Sequence, residues 1–183
     1  MDCEVVRYQT AGDDQSKIAD EIREAWKEAD LILTTGGVSV GEKDLLPGVI
    51  ENLTGNVLFH GIQVKPGMPT MLSVVKGTPV LSLSGNPFAV EALFEVLAGG
   101  YLTDMEASRY LQKNQMKVLK QTFVKTGKMK RIVKGRCDES GVYLPQIQKN
   151  GQLKNGIGSN CLVIFPEGER TYAEGEGVRV IRI

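Results

Sequence analysis

Leu31-Ile32-Leu33-Thr34-Thr35-Gly36-Gly37-Val38-Ser39-Val40-Gly41-Glu42-Lys43-Asp44 decides how the rest of the chain is read. Residues 31–34 form a short apolar, β-favouring run and predict a buried strand. Two glycines follow at once. They let the backbone turn sharply and expose N–H groups that can meet an anion. In open α/β sheets ligands collect at the carboxyl ends of strands, where such a loop lies. Asp44 closes the loop and can serve as a helix cap or as an oxygen ligand for a hard cation. The pattern is neither the dinucleotide GxGxxG nor the P-loop GxxxxGK[ST], so the loop alone is equally readable as a tight strand–helix turn.

Working outward, the flanks alternate strand and helix signals. Residues 3–8 are β-favouring, and residues 10–15 (TAGDDQ) are a polar loop. Ser16 can cap a helix reaching about Ala29, with Ile18, Ile22, Ala25, Trp26 and Ala29 on one face, which makes Trp26 a core residue. The adjacent Asp13 and Asp14 can cap that helix or bind a metal. Downstream, Asp44 can open a helix that places Leu46, Val49, Ile50 and Leu53 on one face. Residues 57–64 are extended, and residues 70–75 and 79–83 predict a hairpin around Lys76-Gly77. Ser84-Gly85-Asn86-Pro87 opens a further helix to about Leu102, with Asn86 as cap and Pro87 in the first helical position. Lys65-Pro66-Gly67-Met68-Pro69 is a rigid turn that carries one cation. It suits an oxyanion, or is a surface lysine on a Pro-Gly turn. Alternating elements imply an α/β domain over residues 1–110, with a polar connector at 106–115.

Residues 111–183 read differently. Short β-rich runs at 117–125, 130–138, 142–147, 161–165 and 178–183, punctuated by glycine turns, predict a small all-β barrel-like or sandwich domain. Lys128, Lys130, Lys134 and Arg136 recur with period 2 and predict a basic strand face, either solvated or facing an acidic partner. Few aromatics lie nearby for base stacking, which disfavours nucleic acid as a partner. His60 stands alone, so a packing or surface role is expected; the cysteines Cys3, Cys137 and Cys161 have no motif spacing either, so no nucleophile is assigned.

The 183 residues are 42% hydrophobic and 24% charged, an ordinary globular composition. No apolar run is long enough to span a membrane, and no signal peptide is visible at the start. Three scattered cysteines fit a reduced, cytoplasmic protein.

The quoted loop, then Val64-Lys65-Pro66-Gly67-Met68-Pro69, then Leu83-Ser84-Gly85-Asn86-Pro87 resemble, in order and spacing, the signatures of the molybdopterin molybdenumtransferases (MoeA and the gephyrin E domain). The resemblance covers essentially the whole chain and implies the C-terminal portion of such a protein. It implies a three-layer molybdopterin-binding α/β domain, here lacking its first strand and helix with their Gly-Asp-Glu-Leu turn, followed by a small β-barrel. The implied activity is insertion of molybdate into adenylylated molybdopterin (molybdopterin-AMP), with Mg2+, releasing AMP. The implied setting is a cytoplasmic homodimer. The missing N-terminal portion and a molybdopterin adenylyltransferase are its expected partners. By motif, Asp13 and Asp44 match the acidic, metal-binding positions and Lys65 the lysine of the KPGKP turn. Thr35, Gly36, Gly37 and Ser39 match the pterin-phosphate loop, and Gly85, Asn86 and Pro87 the PGNP turn. Gly61 and Met68 stand where many members carry lysine. Those departures motivate the alternative of a non-catalytic dimerisation, scaffold or pterin-binding module of the same fold. The missing strand would lie inside the sheet, so its absence predicts unpaired backbone and exposed apolar surface.

The formal net charge of zero hides two opposed halves. Residues 1–110 carry 8 Lys+Arg against 16 Asp+Glu, net −8; residues 111–183 carry 14 against 6, net +8. Opposed charges favour head-to-tail association that salt screens. Raising NaCl from about 0.05 to about 0.5 M should therefore lower the sedimentation coefficient. A coefficient independent of salt would remove this electrostatic term.

Overall fold

The computed structural model describes residues 3–39, 44–99, 114–145 and 158–183. They divide into two units, Met1–Ile62 with Gly67–Val90, and Gln63–Pro66 with Glu91–Ile183. The domain boundary expected at 110 falls outside the described residues.

In chain order the elements up to residue 99 are α1 (Gln15–Ala25), β1 (Ile32–Thr35), α2 (Leu46–Asn52), β2 (Asn56–His60), β3 (Val64–Lys65), β4 (Met71–Val75), β5 (Thr78–Leu83) and α3 (Pro87–Leu93), which runs on as a π-helical turn over Phe94–Ala98. The hairpin expected at Lys76-Gly77 is present. Val75 pairs with Thr78, and the two loop residues take φ +53° and +91°, the double positive φ that matches strand twist in a two-residue turn. Around it the sheet runs β1-β5-β4-β2. β1 is parallel to β5, and the other pairs are antiparallel, with a bulge in β2 between Val57 and Phe59.

Side-chain alternation places Ile32, Val80, Met71 and Val75 in one buried cluster with Ala19, Ile22 and Ala25 of α1 and Leu46, Val49 and Ile50 of α2. Trp26 packs against this cluster as expected. Each such Leu or Ile contributes roughly 1.5–3 kcal/mol by leaving water. Leu81 and Leu83 alternate with Val80 and are also buried, so β5 is covered on both faces, as a central strand should be.

Several local expectations are corrected. Residues 3–8 have no regular secondary structure and join no ladder among the described residues, and Val5 and Tyr8 are 80% and 86% exposed. β propensity without a neighbouring strand does not make a strand. What holds this segment is Arg7, whose guanidinium donates to the Glu21 carboxylate of α1 at 2.8 and 3.1 Å. β1 forms the sheet edge, with Leu33 exposed. Asp14, not Ser16, caps α1, accepting the Ser16 and Lys17 N–H groups at 3.0 and 3.2 Å. The helix ends at Ala25 with Trp26 as C-cap. The N-cap of α2 is Leu45, with no side-chain cap, so Asp44 does not fill the capping role that its position suggested.

The second unit adds β6 (Asn114–Val118), β7 (Phe123–Lys125), β8 (Lys130–Cys137), β9 (Val142–Tyr143), β10 (Cys161–Phe165), β11 (Arg170–Tyr172) and β12 (Gly177–Arg182) to β3. The main path is β3-β8-β10-β12-β6, with β9 on β8 and a separate β7–β11 pair. This path does not close among the described residues, so the barrel expected from strand spacing is not formed by them. The predicted strand 117–125 breaks because Leu119 turns to the Glu176 carbonyl. β7 then takes β11 as partner instead of joining the main sheet. The predicted basic face of β8 is interrupted by buried Ile132, and Lys134 is paired with Glu91 at 2.5 Å. Phe165 stacks on Phe123 and meets Tyr172 edge-on in and beside the core. Lys125 is buried, its ammonium donating to the Gly127 and Gly168 carbonyls. Cys137 and Cys161 are buried free thiols. Burial, and then the neighbouring Cys137, push the Cys161 thiol up to about 12, and both side chains belong to the core of this unit.

Gly55 marks where packing tolerates nothing larger. A Cβ there would stand 2.8 Å from the buried side chains of Ile50 and Val75. Gly55→Ala should lower unfolding free energy by about 1–3 kcal/mol in urea melts, and an unchanged midpoint would show that the α2–β4 contact yields.

Candidate functional site

The parallel ladder aligns Thr34 with Ser82 and Thr35 with Leu83. It extends one bond further, because the Gly36 N–H donates to the Leu83 carbonyl at 2.9 Å. The turns that leave β1 and β5 therefore start side by side at the carboxyl ends of both strands. Gly36 and Gly37 take φ +84° and +63°, a left-handed conformation that other residues adopt only with strain. Gly85 faces them, since a Cβ on it would lie 3.6 Å from the Gly36 Cα. Two glycine turns in contact bring the backbone close to one surface, as a bound anion requires, with the Gly36 N–H itself spent on Leu83.

Other residues fix these turns. Val38 is buried and anchors the first loop in the core, while the Leu46 N–H donates to the Gly37 carbonyl at 3.0 Å. His60 Nε2–H donates to the Val38 carbonyl at 2.7 Å, so the ring holds the loop through the tautomer protonated at Nε2. In the second turn, Asn86 Oδ1 accepts the Ala89 N–H at 3.1 Å, and Pro87 takes the first helical position, as the sequence predicted. Thr35, Ser39, Gly85 and Pro87 are exposed and Asn86 half-buried. Beneath the turns, Thr34 Oγ1 and Ser82 Oγ are buried on paired residues and have no hydrogen-bond partner among the described residues.

The structure brings together Thr35, Gly36, Gly85, Asn86 and Pro87, with Gly37 and Ser39 following in the same loop. Asp44 is half-buried just before α2, and Asp13 is exposed just before the capping Asp14. Among the described residues no group of three or more His, Cys, Asp or Glu could hold a metal ion. Two aspartates fit Mg2+ only in the mode where substrate phosphates and water complete its shell. Lys65 ends β3 in the second unit, exposed and opposite Arg131. Sequence reasoning missed His60 as a loop-holding residue, because its partner is a backbone carbonyl 22 positions away and carries no motif.

Residues 1–104 match the family model described as "Probable molybdopterin binding domain". The chain belongs to the molybdopterin-binding domain family. Among its relatives, a molybdopterin molybdenumtransferase of Staphylococcus aureus is 30% identical over 183 residues, covering 97% of this chain and 44% of the relative. One of Staphylococcus epidermidis is 27% identical over the same shares. The molybdopterin biosynthesis MoeA protein of Pyrococcus horikoshii superposes with a TM-score of 0.75 at 28% identity, over 93% of this chain and 41% of that one. A molybdenum cofactor biosynthesis protein of Pyrococcus furiosus, at TM-score 0.70 and 24% identity, shares the fold. The chain thus spans less than half the length of the transferases it matches. Among its described residues no helix is long and apolar enough to cross a membrane.

Within this molybdopterin-binding domain the two adjacent aspartates separate by chemistry. The Ser16 hydroxyl, then the Lys17 N–H, hold the Asp14 carboxyl below its ordinary range. A folded-state pKa below the unfolded one stabilises the fold above the unfolded value, and this is lost as pH falls through the folded one. Asp14→Ala should lower the melting temperature at pH 7, and the difference from wild type should shrink below about pH 4. Asp13→Ala should leave melting unchanged at both pH values. Equal destabilisation by both variants would overturn the division of roles.

Proposed function

We propose that this chain carries part of the site that inserts molybdate into adenylylated molybdopterin, releasing AMP. The observation that carries the reading is the contact between the Gly36-Gly37 and Gly85 turns at the ends of parallel β1 and β5. It occurs in a chain whose motifs and family point to an anionic pterin. On this reading the N–H group of Gly37, with the Thr35 and Ser39 hydroxyls, binds phosphate oxygens, while the Gly36 N–H stays in the ladder. Gly85 lets the ligand approach because it has no side chain, and Asn86 and Pro87 hold that turn in place. Asp13 and Asp44 would hold Mg2+, which supplies neutralisation of phosphate charge when bound. Lys65 offers its ammonium to the oxyanion. The buried, unpartnered hydroxyls of Thr34 and Ser82 support a polar ligand at this end of the sheet.

Among the described residues none is arranged as an activated nucleophile, and on this reading they contribute positioning and electrostatic stabilisation. The proposal includes a homodimer in the cytoplasm and cooperation with a further polypeptide portion, because the chain spans 44% of its transferase relatives. A molybdopterin adenylyltransferase would supply the substrate.

The test is molybdate-dependent AMP release from adenylylated molybdopterin, with Mg2+, by the chain alone and with the remaining portion of a relative added in trans. Release is expected in at least the second arm, and Asp44→Asn should lower it by about 10²-fold. A chain that neither binds molybdopterin nor restores release in trans would overturn the enzymatic reading.

A further inference from the structure

Register places four residues in one row across the first sheet. Thr34 lies opposite Ser82, Ser82 opposite Met71, and Met71 opposite His60. β4 is antiparallel to both β5 and β2, so β2 runs in the same direction as β5 and its parallel partner β1. His60 is the last residue of β2 and therefore stands at the same end of the sheet as the Gly36-Gly37 and Gly85 turns. β1 and β2 are the two edge strands, so three strand spacings, about 14 Å, separate Thr34 from His60. Val38 lies four residues past Thr34, and four extended residues span about 13 Å. The 2.7 Å hydrogen bond from His60 Nε2–H to the Val38 carbonyl thus requires the loop to run along the carboxyl end of the sheet, from one edge toward the other. The row below this course contributes Thr34 Oγ1 and Ser82 Oγ, buried and without partners among the described residues.

Three backbone groups fix the loop. The Gly36 N–H stays in the ladder, the Gly37 carbonyl accepts the Leu46 N–H, and the Val38 carbonyl accepts from His60. Among the described residues His60 alone ties the loop to the opposite edge of the sheet. The two glycines at positive φ have the freest backbone of the segment and would otherwise let it swing. The Val38 carbonyl shares a rigid, trans peptide plane with the Ser39 N–H, which points the opposite way. Fixing the oxygen therefore aims that N–H away from the ring, beside the exposed Ser39 side chain. We propose that His60 is a positioning residue of the anion-binding loop: by holding the Val38 carbonyl it orients the Ser39 N–H and hydroxyl for the phosphate of the pterin ligand. The inference rests on the role given to Gly37 and Ser39 under the proposed function. It adds a residue that touches no ligand and acts through the backbone.

The test compares two amide replacements of the chain's single histidine. Glutamine carries an N–H donor as many bonds from the backbone as Nε2, whereas the donor of asparagine falls one bond short. Molybdopterin binding to the full chain is followed by quenching of the pterin fluorescence. His60→Asn should weaken binding about three- to tenfold, the worth of one lost hydrogen bond, and His60→Gln should restore it to near the wild-type value. Hydrogen exchange of the ligand-free chain supplies a readout besides binding. The Leu46 amide, which donates to the loop at Gly37, should exchange faster in His60→Asn than in wild type or His60→Gln. Val163 of β10, in the other unit, should exchange alike in all three. Wild-type affinity in His60→Asn, or equal loss in both variants, overturns the inference and leaves the proposed function standing on wild-type binding and AMP release. Unchanged Leu46 exchange in His60→Asn also overturns it, because the hydrogen bond then does not hold the loop. Wild type that binds no molybdopterin overturns it together with the proposed function.

Discussion

Everything placed at the candidate site depends on the parallel pairing of β1 with β5. Four residue pairs fix its register, and the Gly36 N–H continues the ladder past the end of β1. Parallel strands end at the same edge, so both chains must turn there, and both do so with glycine. In an antiparallel arrangement the two turns would fall at opposite ends of the sheet. The core holds this register, because Ile32 and Val80 lie opposite each other and enter the same cluster as α1 and α2. A slip by one residue would send them to the other face. Loop geometry is thus held by hydrophobic packing several residues away.

Features that rest on local chemistry were legible in the sequence. Lys76-Gly77 and Asn86-Pro87 specify their turns within four residues, and both appear as read. Features whose partner is remote were not. Residues 3–8 have strand-like composition, but nothing within the described residues pairs with them. β3 was hidden inside a proline-rich turn and exists because β8 accepts it. β11 was overlooked because Arg170-Thr171-Tyr172 looks like a polar loop until β7 is beside it. Asp14 and Ser16 are both good caps, and only the helix start distinguishes them.

The site residues divide in the same way. Motif order placed the glycines and Asn86-Pro87 correctly at two strand ends, since glycine and proline announce backbone geometry directly. Charged residues announce much less. Asp13 and Asp14 are adjacent and chemically identical, yet one is consumed by a helix N-terminus. Lys134 looked like part of a basic stripe and is spent on Glu91, while Arg131, one step out of phase with that stripe, arrives beside Lys65. Which neighbours a cation meets is decided by contacts remote in sequence, and these are a property of the folded chain.

Lys125 carries a consequence of another kind. Its ammonium joins the carbonyls of Gly127 and Gly168, and the Gly168 N–H reaches the Lys128 carbonyl. Two turns 41 positions apart are therefore tied through one buried charge. Neither can open to water alone without stranding that charge, so their amides should exchange with solvent as one cooperative unit. A surface-looking lysine in the sequence thereby sets the unit of local unfolding for this end of the β-rich region.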